Sequence, residues 1–96
     1  MGTSFSLVQL SLLDQIRGFV AVGRRMSITS ASQDLCLTQS AVSRQVQALE
    51  EQLGIKLLVR GYRSVSFTSE GERLFRSADG AIQQLQDVMG AIRTTA

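Results

Sequence analysis

The stretch that most constrains this chain is TQSAVSRQVQALEEQLG, Thr38 to Gly54. Its apolar members Val42, Val46, Leu49 and Leu53 step by four, three and four, which puts them on one stripe of a helix. Thr38 is a good N-cap, and Gly54 can take the left-handed position past the last turn, with Ile55 folding back as its hydrophobic contact. A single amphipathic helix of this length is marginal in water, so neighbouring segments must cover the stripe.

The segments before it are helical as well. Ser11-Leu12-Leu13-Asp14 has the capping-box pattern, and Leu12, Ile16, Phe19 and Val20 mark the inward side of a first helix. That helix ends near Arg24-Arg25, two cations where the dipole favours them. A short second helix lies in SITSASQDLC, capped by Ser27, Thr29 or Ser30, with Ile28, Ala31 and Leu35 inward. Small Ala31 and Ser32 let it lie close to another helix. Leu37 and Thr38 then break the period, which gives the spacing of a helix-turn-helix.

KLLVRGYRSVSFT changes character. Leu57, Leu58 and Val59, then Val65 and Phe67 alternating with Ser64 and Ser66, predict two short strands joined by Arg60-Gly61-Tyr62-Arg63. A hairpin tipped with two arginines after a helix-turn-helix has the form of a wing; alone, it reads equally well as a solvated turn.

Thr68 can cap a last helix with Glu70 and Glu72 in its first turn. Along it, Phe75, Ala78, Ile82, Leu85, Met89 and Ile92 form an a/d heptad seam, flanked by Leu74, Ala81 and Val88. Residues 69–93 would stretch ~37 Å, longer than a small domain is wide. The seam therefore needs a partner: a second copy of the chain, with the first helix contributing or competing. Gly80 and Gly90 soften this helix by ~1 kcal/mol each relative to alanine.

The division expected is a flexible tail over 1–10, a winged helix-turn-helix over 11–68, a linker and dimerisation helix over 69–93, and a tail over 94–96. The fold class is mainly α, three helices plus a two-stranded wing followed by the long helix. At 96 residues and 44% hydrophobic, this is one small domain. No run of eighteen apolar residues and no charged-then-apolar leader is present, so neither a membrane span nor a signal peptide is expected. The first six residues match the short, common pattern for N-myristoylation, and a lipid anchor is not expected from that alone.

One cysteine and no histidine leave no metal-ligand cluster, and no nucleophile has a histidine to activate it. With no Gly-rich phosphate loop either, the chain reads as a non-enzyme without cofactor or metal. Cys36 is expected to be a buried structural thiol at the turn. The net charge is +2, but its distribution is uneven. Residues 39–68 carry four cations against two anions; from Ser69 onward three cations face four anions. The middle of the chain is the basic part.

That middle contains the unusual surface. Opposite its apolar stripe, the third helix shows Gln39, Ser40, Ser43, Arg44 and Gln47 rather than Lys and Glu. Amides, hydroxyls and a guanidinium are the groups that pair with base edges in a DNA major groove, Arg with guanine and Gln with adenine. Helix N-terminal N–H groups also favour a phosphate oxygen nearby. The plain alternative is a soluble face, and a protein-interaction module built on the heptad seam is the rival reading.

The run SITSASQDLCLTQSAVSRQVQALEEQLGIKLLVR, with FTSEG after it, resembles the N-terminal domain of the LysR-type transcriptional regulators from about Leu12 to Gly71. The resemblance rests on Ala31, Gln39, Ser43-Arg44, Leu49-Glu50, Leu53-Gly54, Leu57, Arg60 and the Thr68-x-x-Gly71 pattern. It implies a bacterial, cytoplasmic, sequence-specific binder of double-stranded DNA with a palindromic operator. The chain would pair as a homodimer through its linker helices, assembling to tetramers in a longer parent that carries an effector domain. It further implies that Gln39, Ser40, Ser43 and Arg44 meet bases or nearby phosphates. Arg60 and Arg63 would then lie on phosphates or in the minor groove, with Ser30 and Thr38 as phosphate candidates. Three departures stand out: Ala31-Ser32 where the family has Ala-Ala, Leu58-Val59-Arg60 where it has Phe-Glu-Arg, and Ser40-Ala41 where many members carry proline. Loss of the Glu removes an ion-pair partner for a neighbouring arginine.

Overall fold

The computed structural model describes residues 11–62 and 64–95. The tail over 1–10, Ala96 and Arg63 lie outside the described residues, as does the side chain of Ser11 on which the first capping box depends. The elements run α1 (Ser11–Arg25), α2 (Ile28–Leu35), α3 (Gln39–Leu53), β1 (Leu58–Gly61), β2 (Ser64–Phe67) and α4 (Ser69–Thr95).

Each boundary of the central pair of helices has a side chain or a backbone turn behind it. Ser27, one of the three cap candidates, starts α2: its Oγ accepts from Ser30 N–H at 3.1 Å. Thr38 does the same for α3, accepting from Ala41 N–H at 3.1 Å. Both satisfy a donor that a helix start leaves without an intrahelical partner. Cys36 ends α2 in the left-handed region, with φ 57° and ψ 41°. It is exposed, not buried as expected. The residue that closes α2 is itself the turn, and turns run along the surface. Gly54 closes α3 at φ 71°, and both Gly54 N–H and Ile55 N–H donate to the Glu50 carbonyl.

The core draws on every early element: Phe19 and Val22 from α1, Ala31 from α2, Val42, Val46 and Leu49 from α3, then Leu57 and Leu58. Leu53, expected on the same stripe, is 51% exposed. It is the last residue of α3, beside the Gly54 exit, and the bundle does not reach that far. The unusual Ser32 is buried without an orphan hydroxyl, because its Oγ donates to the Thr29 carbonyl at 2.7 Å.

The two strands pair antiparallel, Leu58 with Phe67 through Gly61 with Ser64. Arg60 and Gly61 thus belong to β1, and the connection is shorter than the four residues expected. Behind the wing, Phe67 and Phe75 stack at 5.1 Å between centroids and both meet Phe19 edge-on, at 6.0 and 6.4 Å. Such arrangements contribute beyond the area they bury. Phe75, expected on the intermolecular seam, is half-buried in its own chain's aromatic cluster. Together with the Arg24–Asp79 ion pair, that cluster ties the start of α4 to α1.

Gly71 allows α4 to approach the wing. A Cβ there would run into the Leu57 carbonyl group. Thr68 completes the joint: its N–H donates to Leu57 O at 3.0 Å, its hydroxyl donates to Lys56 O at 2.8 Å, and its Oγ1 accepts from Gly71 N–H at 3.0 Å.

Candidate nucleic-acid interface

Burial divides α3 into two faces. Val42, Val46, Leu49 and Glu50 are buried, while Gln39, Ser40, Arg44 and Gln47 are exposed and Ala41 and Ser43 are half-buried. Gln39, Ser40, Ser43 and Arg44 lie in the N-terminal half, near the helix start where backbone N–H groups lack intrahelical partners, while Glu51, Gln52 and Leu53 are exposed at the other end. None of Gln39, Ser40 and Arg44 is covered by another element, so the polar face is free to meet a partner.

The wing closes one side of this face. Arg60 on β1 donates from its guanidinium to Ser43 Oγ at 3.3 Å. The guanidinium thus reaches across from the wing to a hydroxyl of α3. The structure therefore brings Gln39, Ser40, Ser43, Arg44 and Arg60 onto one contiguous surface. Arg60 also shares a groove with Ser27, Thr29 and Ser64, at the start of α2 and on β2. Ser30 does not line that groove; it sits half-buried in the first turn of α2. The other phosphate candidate, Thr38, is exposed.

Glu50 went unnoticed as anything more than part of a spacing pattern. It is 8% exposed, and its Oε2 accepts from Leu57 N–H at 2.8 Å and Leu58 N–H at 3.2 Å. Lys56 Nζ stands 3.7 Å from its Oε1, with a side chain largely in solvent. The signal was available: an acid in the last turn of a helix faces the negative end of the dipole, so it needs specific donors to be tolerated.

The far half of α4 presents a second kind of surface. Leu85, Val88, Met89 and Ile92 are 52–63% exposed, and only Ile82 among the later seam residues is half-buried. No helix among the described residues is long and apolar enough to cross a membrane, and no three of their Cys, Asp or Glu side chains are grouped to hold a metal.

Three helices, a two-stranded antiparallel wing and a long C-terminal helix define a winged helix-turn-helix domain. The model of the bacterial regulatory helix-turn-helix proteins of the LysR family matches residues 13–72, and the chain belongs to that family. Among its curated relatives, the probable cat1 operon transcriptional activator of Acinetobacter lwoffii is 38% identical over 81 residues, 84% of this chain and 27% of the relative. The regulator BenM of Acinetobacter baylyi is 48% identical over 66 residues, 69% of this chain and 22% of BenM. The chain thus spans about a quarter of the length of these relatives. Among solved structures, the BenM DBD in complex with benA site 1 DNA superposes with a TM-score of 0.76 at 38% identity, covering 86% of this chain and 93% of that one. The CbnR DBD–DNA complex gives 0.71 at 28% identity, with 85% and 94% covered.

Proposed function

We propose that this chain is a sequence-specific double-stranded DNA-binding domain of a bacterial transcriptional regulator, working as a homodimer. The observation that carries the reading is the uncovered face of α3, where Gln39, Ser40, Ser43 and Arg44 stand clear of the core. That face enters the major groove, with Arg44 and Gln39 as the bidentate readers and the serines on base edges or phosphates. Arg60, with Arg63 three positions further along the chain, holds the flanking backbone or minor groove. Such contacts position the domain but carry little sequence information. The likeness to domains solved with DNA supports the same reading.

The exposed apolar run on α4 supports dimerisation. A row of Leu, Val, Met and Ile held in water at this density is an interaction surface, and pairing of two α4 helices covers Ile82, Leu85, Met89 and Ile92, with Ala78 at the inner end. At ~1.5 Å per residue, the 27-residue helix is about 40 Å long. Two such helices side by side can therefore hold two reading heads at a fixed separation, which suits a palindromic operator. On the same reading, assembly to tetramers, a cytoplasmic setting and an effector domain would belong to a longer parent regulator.

Titration of duplex DNA at several salt concentrations tests the central reading. Phosphate neutralisation makes affinity fall steeply as salt rises. A flat response, with the chain binding only protein partners through α4, would establish the interaction-module reading in its place.

A further inference from the structure

We infer that Glu50 is a positioning residue for the wing: its carboxylate determines where Arg60 stands relative to the reading face of α3. The inference rests on the DNA-binding reading above and adds to it a residue that touches no DNA.

The geometry is that of a strand tied to a helix at two places. Two side chains of α3, Glu50 and Ser43, reach the segment that enters and forms β1. At one end, Glu50 Oε2 accepts from the N–H groups of Leu57 and Leu58; at the other, Ser43 Oγ accepts from Arg60. Glu50 and Ser43 are seven helical residues apart, ~10.5 Å along the axis. Leu57, just ahead of β1, and Arg60 within it are three residues apart, ~10 Å if the chain is extended throughout. The two spans match, so the tie at Glu50 sets the register that allows the tie at Ser43. A carboxylate suits the task because it only accepts, and the two donors it meets are the backbone N–H groups at the entry to the hairpin. The outer bond is long and exposed; the inner pair is buried, so control runs from Glu50 to Arg60 rather than the reverse.

The test compares Glu50→Ala, Glu50→Gln, Arg60→Ala and the double variant Glu50→Ala/Arg60→Ala in the 96-residue chain. Each binds a duplex selected by the wild-type chain, over a fourfold range of salt. Losing one phosphate contact flattens the slope of log affinity against log salt by ~0.9, about a 3.5-fold change over that range per wing. Glu50→Ala is expected to flatten the slope as Arg60→Ala does, and the double variant to be no flatter than Arg60→Ala alone. Glu50→Gln, whose amide oxygen can accept the same two bonds, retains most of the slope. Base selectivity stays unchanged throughout, a separation that general loosening of the fold does not produce. A wild-type slope in Glu50→Ala, a double variant that loses the sum of both effects, or altered base selectivity overturns the inference. Should circular dichroism show Glu50→Ala unfolded, Glu50→Asp takes its place: it keeps the charge but withdraws the acceptor by one methylene, and an unchanged slope there overturns the inference equally. A wild-type chain whose binding ignores salt removes the DNA-binding reading, and this inference with it.

Discussion

An alanine at Gly71 and an alanine at Gly80 add the same methyl group to the same helix, and the structure gives them opposite signs. In both places the intrinsic helix preference favours alanine by ~1 kcal/mol. At Gly80 an added Cβ meets nothing within 4 Å, so that gain stands. At Gly71 it meets the carbonyl oxygen, carbonyl carbon and Cα of Leu57, backbone atoms that cannot swing aside like the end of a side chain. Forcing them apart costs ~1–3 kcal/mol on the usual scale for overpacking. The same carbonyl accepts from Thr68 N–H at 3.0 Å, and stretching that bond adds ~0.5–1.5 kcal/mol. The losses exceed the helix gain, leaving Gly71→Ala less stable by roughly 0.5–3.5 kcal/mol and Gly80→Ala more stable by up to ~1 kcal/mol. In a domain of this size each kcal/mol moves Tm by ~4–8 °C. Thermal melts followed by circular dichroism resolve this, provided all variants are at one protein concentration, since self-association shifts Tm by mass action. A Gly71→Ala chain that melts at or above the wild type would refute the close approach of α4 to the wing. A Gly80→Ala chain that melts lower would show that something packs on that face after all.

Two further outcomes bear on function. Arg44→Ala is expected to weaken binding to the preferred duplex by ~1–3 kcal/mol and to relax selectivity at one base pair; a competition series with single-base variants checks it, and an unchanged selectivity profile counts against Arg44 as a reader. Leu85→Asp is expected to leave the melting of a dilute chain nearly unchanged, since Leu85 is 62% exposed, while stranding a carboxylate in the proposed seam and splitting the proposed dimer. Sedimentation at rising concentration decides this, with persistence of the dimer as the refuting result, and operator affinity should fall along with dimerisation.

Much of the fold was legible because its signals are local. Thr38 and Gly54 bracket α3 in the sequence and in the structure, since a cap needs only the three or four residues beside it. The polar face of α3 was legible for the same reason: helical spacing sorts Gln39, Ser40 and Arg44 from Val42, Val46 and Leu49 before anything packs. Ser27 could not be told from Thr29 or Ser30 as the cap of α2, because hydroxyls at neighbouring positions carry the same local chemistry.

What stayed hidden depends on residues far apart in the chain. The heptad pattern assigns Phe75 and Ile92 to one seam, yet Phe75 packs on Phe19 and Phe67 while Ile92 is 63% exposed. A repeat records that a face is apolar without recording which neighbour covers it. The length of α4 relative to the bundle makes that assignment.

The sequence by itself settled the order of the elements, the two ends of α3 and the chemistry displayed on each of its faces, because these follow from residue type and spacing within a few turns. Only the tertiary structure decided that Arg60 reaches Ser43, that Glu50 holds the entry to the wing, and that Cys36 lies at the surface. Those outcomes depend on where the segment entering β1 comes to lie against α3 and on how far the bundle extends. Such quantities come from packing the whole core at once, and no short window of residues contains them.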